Sequence, residues 1–391
     1  MKWLLGISFG ELMLKGNNRH QFIKKSVRQV RKALENFEIG EHFLDQGKLF
    51  IEVKYDDFDE VIDNSKMIFG LSYVYKTLMV EKNFEDIEKG LVEFVKDANI
   101  TEFTTFKIKG HRADKSFPLN SMELAAKCGG YILKNFRNFK VSVSNPQKTI
   151  YVDIREKAYI YMDRIKTIGG LPLGTGGRAL LLLSGGIDSP VAGFEIAKRG
   201  VEIGALHFHS YPFTSERALD KVKRLAEKLS MYIGDINFYS VNLLNIYTEI
   251  NKNCKPRFTT IIARRFMMRI GEIIANRYRY DGFVTGEALG QVASQTIQSI
   301  SVVNDATKLP ILRPLINMDK TEIIETANWI DTYDISIEPY DDCCSFFAPD
   351  RPATKPRLYD IEREEKKLDI EFLVNEAIEK MEIIKIGFEN I

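Results

Sequence analysis

"LLLLSGGIDSP", residues 180–190, decides the fold of this chain. Four successive leucines read as a strand buried on both faces, the habit of a parallel sheet. They run straight into Ser184, Gly185 and Gly186, and a helical stretch, "PVAGFEIAKR" (190–199), follows. A strand that feeds a helix through glycines aims backbone N–H groups at the helix N-terminus, which is an anion site. Pro190 suits the first helical position, with Asp188 or Ser189 placed as cap. Phosphate is the expected occupant; the glycine pair alone would also fit a plain tight βα turn. The spacing matches neither a Walker loop nor a dinucleotide fingerprint, since G-x-x-x-x-G-K-[ST] and G-x-G-x-x-G are both absent.

Outward from this turn, strands and helices alternate. "VEIGALHFHS", "INFYSV", "GFVTG" and "ILRPLI" read as strands, and 215–229, 258–278 and 319–330 as helices. That alternation predicts a doubly wound α/β parallel sheet over 179–391. Upstream stands "IGGLPLGTGGR" (168–178), with five glycines and one proline, read as part of a linker over 166–178. Residues 1–59 follow a β-α-β order: a strand at 3–9, an amphipathic helix at 20–37 and a strand at 48–55. This predicts a small ferredoxin-like α+β module. Residues 60–165 form a second unit, with helices at 84–97 and 120–136 and strands at 105–112, near 140–144 and over 150–162.

Composition narrows the functional class. A chain of 391 residues with 45% hydrophobic and 28% charged content is a globular protein of several domains. Its net charge of +1 implies no partner by itself, but residues 101–150 hold 9 basic against 3 acidic side chains. A local basic face of that kind suits RNA, or is simply a solvated surface. Four cysteines, two of them adjacent, form neither a disulfide framework nor a zinc pattern. No stretch approaches the roughly 18 apolar residues of a membrane span, and the N-terminus lacks a secretory pattern, so a reducing cytoplasmic location is expected.

The string "SGGIDSP" resembles the pyrophosphate loop of the ATP pyrophosphatases, which split ATP between its α and β phosphates. The resemblance then becomes specific. "GGLPLGTGGRALLLLSGGIDSPVAGFEIAKRG" (169–200), "HFHSYPFTSERA" (207–218), "GEALGQVASQT" (286–296) and "ILRPLINMDKTEII" (311–324) resemble the tRNA 4-thiouridine synthetase family. "FKIKGHRADKSFP" (106–118) resembles the RNA-binding THUMP domain of that family. The implied fold is an ATP-pyrophosphatase (PP-loop) α/β domain preceded by a ferredoxin-like module and a THUMP domain. Many members end in a rhodanese-like domain bearing a persulfide cysteine; this sequence is expected to be the form without it.

The implied activity is an ATP-dependent sulfurtransferase that adenylates uridine 8 of tRNA and replaces AMP with persulfide sulfur, with sulfur transfer toward the thiamine thiazole as a second use. Its cofactors would be ATP and Mg²⁺. Its partners would be tRNA, a cysteine desulfurase as persulfide donor and, as one option, a second copy of the chain in a homodimer. The alternatives are another PP-loop enzyme of the 2-thiouridylase or amidating type, and a non-catalytic RNA-binding protein that senses ATP.

Residue roles follow from loop chemistry and from the resemblance. Ser184, Gly185, Gly186 and Ser189 are expected on the phosphates, and Asp188 as a catalytic residue, as an Mg²⁺ ligand or as a cap. The resemblance carries Leu182, Leu183, His207 and Phe208 to the adenine pocket and Gly286 and Gln295 to the nucleotide, with Ser294 capping the next helix. In "ARRFMMR" (263–269) it favours Arg264, with Arg265 as alternative, and the methionines read as core. Lys107, Lys109, Arg112 and Lys115 are expected on RNA phosphates, which supply affinity without reading sequence; Phe117 reads as a core plug. "DDCCSFF" (341–347) places Cys343 beside Cys344, suggesting sulfur-carrier or redox work, or two incidental thiols. The resemblance singles out Cys344, and Cys128 and Cys254 read as structural.

Overall fold

The leucine run forms a buried central strand, as its composition requires. In the computed structural model, which describes residues 1–292, 294–340, 347–349 and 351–387, the chain divides into two compact units, Met1–Pro172 and Leu173–Ile391.

The first unit is built on one nine-stranded sheet. Its strands are β1 (Lys2–Phe9), β2 (Ile39–Asp45), β3 (Lys48–Val53), β4 (Leu71–Val80), β5 (Thr104–Arg112), β6 (Phe139–Val141), β7 (Lys148–Ile154), β8 (Ala158–Met162) and β9 (Ile165–Lys166). They lie in the order β2-β3-β1-β4-β8-β7-β5-β6, with β9 also on β4. Strand alternation sorts the side chains. Leu5, Ile7, Val74 and Ile51 pack with helices α1 (Arg19–Ala33) and α2 (Phe58–Lys66). Leu78, Val80, Ile150 and Val152 pack with α3 (Phe84–Asp97) and α4 (Ser121–Asn135). The opposite face holds Leu4, Phe50, Tyr75, Tyr159 and Tyr161. There the sheet curls until Phe50 stacks on Tyr159 at 4.0 Å. Lys48 Nζ donates to Asp153 at 2.8 Å, and the Tyr159 hydroxyl donates to Asp45 at 2.8 Å.

Helix α2 spans the expected 59/60 boundary, and its Val61 and Ile62 share a core with β1 and β3. The single strand expected over 150–162 is a hairpin, β7 and β8, turned at residues 155–157. β2 is too polar on its outer face to show strand periodicity in the sequence.

The second unit carries β10 (Arg178–Leu182), β11 (Glu202–His209), β12 (Ile236–Asn242), β13 (Gly282–Val284), β14 (Ile311–Leu312) and β15 (Glu382–Ile386), ordered β14-β13-β10-β11-β12-β15. All pairs are parallel except β12 with β15. The chain winds outward from β10 on one side and returns to its other side with β13. The crevice beyond the carboxyl ends of β10 and β13 is therefore the topological switch point, where such sheets bind ligands. The helices are α5 (Asp188–Ala197), α6 (Glu216–Ile233), α7 (Leu244–Asn253), α8 (Thr259–Tyr278), α9 (Ile297–Asn304), α10 (Lys320–Trp329), α11 (Tyr333–Ser336), α12 (Leu358–Glu365) and α13 (Ile370–Glu379).

Two caps differ from expectation. α5 starts at Asp188 with Ile187 as N-cap and no side-chain cap, so neither Asp188 nor Ser189 plays that part. The Ser189 hydroxyl instead accepts from the Ser184 N–H at 3.0 Å, folding the loop on itself. α9 is capped by Thr296, which accepts from the Ser299 N–H, and not by Ser294.

Candidate active site

A cavity of about 270 Å³ opens at the switch point, lined from β10, β11, α8 and the segment after β13. Its base is the carboxyl ends of two strands: Leu182 and Leu183 from the first, His207 and Phe208 from the second. His207 is 5% exposed, and its Nδ1 lies 3.0 Å from the Leu183 carbonyl. A carbonyl only accepts, so Nδ1 carries the proton. His209, two residues on, is in the opposite state. Its Nδ1 accepts from the Tyr211 N–H at 3.3 Å, and burial, then the neighbouring His207, push its pKa down to about 4. His209 is thus neutral at pH 7, with its proton on Nε2.

The glycine loop forms one wall. Ser184, Gly186, Asp188 and Ser189 line the cavity, while Gly185 lies in the loop without lining it. Gly286 closes the loop from the other side. A Cβ there would stand 2.7 Å from the Ser189 nitrogen and 2.8 Å from the Asp188 carbonyl carbon. No side chain fits that approach, which holds the end of β13 against the first turn of α5.

The facing wall is polar and charged. Arg264 lines the cavity from α8, donating to the Ser294 carbonyl at 3.3 Å and to the buried Glu287 carboxylate. Arg265, the alternative, turns away. It is 3% exposed and donates to Glu365 at 2.9 Å and Asp305 at 3.1 Å. Gln295 also lines the cavity, and its Oε1 is buried without a hydrogen-bond partner among the described residues. Met267 belongs to the core, as read, and faces the cavity as well. Lys320, the first residue of α10, donates to Asp188 at 2.6 Å.

Glu287, Arg313 and Lys320 were not singled out from sequence. Burial of Glu287 would raise its pKa, but Arg264 and Arg313 outweigh burial and hold it down to about 2. Among the described residues no group of three or more His, Cys, Asp or Glu side chains is placed to hold a metal. Glu287 is spent on its arginines; of Asp188, the other carboxylate lining the cavity, Lys320 takes Oδ1, so Oδ2 is the oxygen that the loop side would offer a hard cation. One such oxygen suits an Mg²⁺ ion that arrives on phosphates and keeps its waters.

The RNA candidates all lie in the first unit. On β5, Lys107 is half-buried, Lys109 is exposed with its ammonium 5.9 Å from the Tyr151 ring centre, and exposed His111 pairs with Asp153 at 2.8 Å. Lys115 is exposed in the following loop. Arg112 is partly committed, donating to the Phe117 carbonyl at 3.1 Å and the Leu119 carbonyl at 3.5 Å. Phe117 is buried in the core of that half. Cys343 and Cys344 lie outside the described residues. Cys128 and Cys254 are buried, with thiol pKa values pushed up by burial to about 12 and about 11, as suits structural cysteines. No helix among the described residues is long and apolar enough to cross a membrane.

A glycine loop at the switch point of a parallel sheet, folded on its own serine and faced by Arg264, defines a PP-loop nucleotide domain of the ATP-pyrophosphatase class. Residues 174–370 match the thiamine biosynthesis protein (ThiI) family, 81–163 the THUMP domain and 5–74 the ThiI ferredoxin-like domain. The chain is 55% identical over 388 residues to the probable tRNA sulfurtransferase of Finegoldia magna, covering 99% of each. It is 46% identical to that of Alkaliphilus metalliredigens, covering 100% of each. The crystal structure of a 4-thiouridine synthetase–RNA complex with bound ATP matches with a TM-score of 0.89 at 36% identity, covering 99% of this chain and 100% of that one. The chain belongs to the ThiI family of tRNA sulfurtransferases.

Proposed function

We propose that this chain is an ATP-dependent tRNA sulfurtransferase that converts uridine 8 of tRNA to 4-thiouridine. The observation that carries this reading is the convergence on one cavity of the glycine loop, Asp188 and Arg264, with Lys320 paired to Asp188. Those groups suit a triphosphate that is to be cut between its α and β phosphorus atoms.

The uridine O4 attacks the α-phosphorus, pyrophosphate departs and the N3 proton is lost, leaving an O4-adenylated uridine. Leu182, Leu183, His207 and Phe208 would hold the adenine. Ser184, Gly185, Gly186 and Ser189 would hold the departing pyrophosphate through backbone N–H and hydroxyl donors, aided by the N-terminus of α5. Arg264, Gly286 and Gln295 complete the nucleotide contacts. Asp188 would hold Mg²⁺, which would offset the charge on the pyrophosphate.

A persulfide then attacks C4 through its outer sulfur and AMP leaves. A second thiol cleaves the resulting S–S bond, releasing 4-thiouridine and a disulfide. Cys344, with Cys343, is proposed for this step, and a cysteine desulfurase for supply of the persulfide. Lys107, Lys109, Arg112 and Lys115 would hold tRNA by its phosphates. The same transfer would deliver sulfur toward the thiamine thiazole.

The test is incubation with ATP, tRNA and either sulfide or persulfide-loaded desulfurase, measuring AMP and the thiolated nucleoside. AMP with 4-thiouridine supports the reading. A 2-thiouridine product would place the chain with the other RNA thiolases, and no AMP at saturating tRNA would leave only a binding protein.

A further inference from the structure

Glu287 sits where a carboxylate is unwelcome. It lines a cavity read as a triphosphate site, yet it is 4% exposed and anionic. A lone buried carboxylate there would repel the ligand and lack solvation. Its contacts show how it is tolerated. Oε1 accepts from Arg264, which also lines the cavity. Oε2 accepts from Arg313 Nε at 2.6 Å and from the Thr285 hydroxyl at 3.0 Å. Arg313 is fixed in turn, donating through a terminal nitrogen to Asn304 Oδ1 at 2.6 Å. It does not line the cavity. Three elements thus deliver one chain of contacts: Arg264 from α8, Glu287 from beyond β13 and Arg313 from beyond β14.

Formal charge completes the argument. Arg264 with Glu287 would be a neutral pair, and a neutral pair attracts phosphate weakly. Adding the Arg313 guanidinium returns the cluster to +1, while its side chain keeps only 11% exposure. Arg313 therefore lets Glu287 orient Arg264 without cancelling its charge, and the planar fork that reaches Glu287 and Asn304 together is something a lysine cannot copy.

We propose that Glu287 and Arg313 are positioning residues for the nucleotide step: Glu287 aims the Arg264 guanidinium into the cavity, and Arg313 holds Glu287 and keeps the cluster cationic. This rests on the reading of the cavity as the site of ATP cleavage.

The experiment is a mutant cycle on the full chain with tRNA, following AMP release, the KM for ATP and the melting temperature. Misaiming one side chain at a reacting centre costs about a hundredfold, and Arg313→Gln should raise the KM for ATP and lower AMP release by about ten- to a hundredfold. Arg313→Lys, which keeps the charge and loses the fork, should recover most of the KM and less of the rate. In a Glu287→Gln background, where Arg264 keeps the cluster cationic with or without Arg313, adding Arg313→Gln should change the KM for ATP little, because residues acting as one unit are not additive. An undiminished effect of Arg313→Gln in that background would overturn the proposal. So would an Arg313→Gln protein with a lowered melting temperature but an unchanged KM. Should Arg313→Gln fail to fold, Arg313→Lys in the two backgrounds carries the same comparison. Wild-type protein that releases no AMP would instead sink the reading of the cavity.

Discussion

Lys320 Nζ lies 2.6 Å from Asp188 Oδ1, joining the start of α10 to the first residue of α5 across 132 positions of sequence. The pair is partly exposed and contributes little to stability. Its importance lies in its place, a cation and an acid side by side where the glycine loop becomes helix.

Asp188→Ala should abolish AMP release while leaving tRNA affinity nearly intact, because tRNA phosphates are assigned to the other unit. Lys320→Met should lower AMP release by about 10²–10³, the usual loss when one charge-stabilising donor is removed. Filter binding of labelled tRNA checks the separation. A matching fall in tRNA affinity for Asp188→Ala would contradict it.

RNA affinity divides the basic residues by what the structure asks of them. Lys109→Ala with Lys115→Ala should weaken tRNA binding and reduce the slope of log affinity against log salt by about 1.4–1.8, two phosphate contacts' worth. Arg112→Ala should also lower the melting temperature, because its guanidinium ties down the Phe117 and Leu119 carbonyls. A double lysine variant with an unaltered salt slope would show those side chains to be plain solvated surface.

The pH dependence of stability should carry the mark of Glu287. Its folded-state pKa, about 2, lies below the ordinary 4.5, so the unfolded chain binds the proton first. Its stabilisation is complete above pH 4.5 and drains as pH falls toward 2. Glu287→Gln should melt lower than wild type at pH 7 and show a flatter decline between pH 4.5 and 2. Equal slopes for the two proteins over that interval would mean that the arginines do not hold the carboxylate ionised.

Sulfur transfer separates the adjacent thiols. Cys344→Ser should lose thiolation from persulfide-loaded desulfurase while still releasing AMP, and free sulfide should partly restore product because it needs no protein thiol. Cys343→Ser should keep more of the persulfide-dependent activity. The reverse ranking would move the chemistry to Cys343.

What the sequence made legible depended on how local the cause was. The loop at 184–189 reads directly because strand, glycines and helix are contiguous, and ten of the eleven expected nucleotide residues line one cavity. Position within the first turn of α5 was misread, because Ser189 spends its hydroxyl on the Ser184 N–H and not on a cap. Arg264 and Arg265 could not be told apart from local sequence: adjacent helical residues face different ways, and only packing against α12 shows that Arg265 is consumed by Glu365. Glu287, Arg313 and Lys320 were invisible for a related reason. Each is an ordinary charged residue until a partner 26 or 132 positions away gives it a task. The β15 edge strand is not among the strands expected from the sequence, since the pairing that makes it a strand comes from β12.

The curled nine-stranded sheet has a consequence for how the first unit comes apart. β4 pairs with β1 on one side and β8 on the other, so the stretch between the segments matched as ferredoxin-like and THUMP joins a strand of each by backbone hydrogen bonds. The Lys48–Asp153 pair and the Phe50–Tyr159 stack fasten the same seam. Residues 1–172 are therefore one cooperative block with no inner breaking point. Denaturant should melt them in a single step, and excising the first 59 residues would strip β4 of its neighbour and leave an adhesive bare edge.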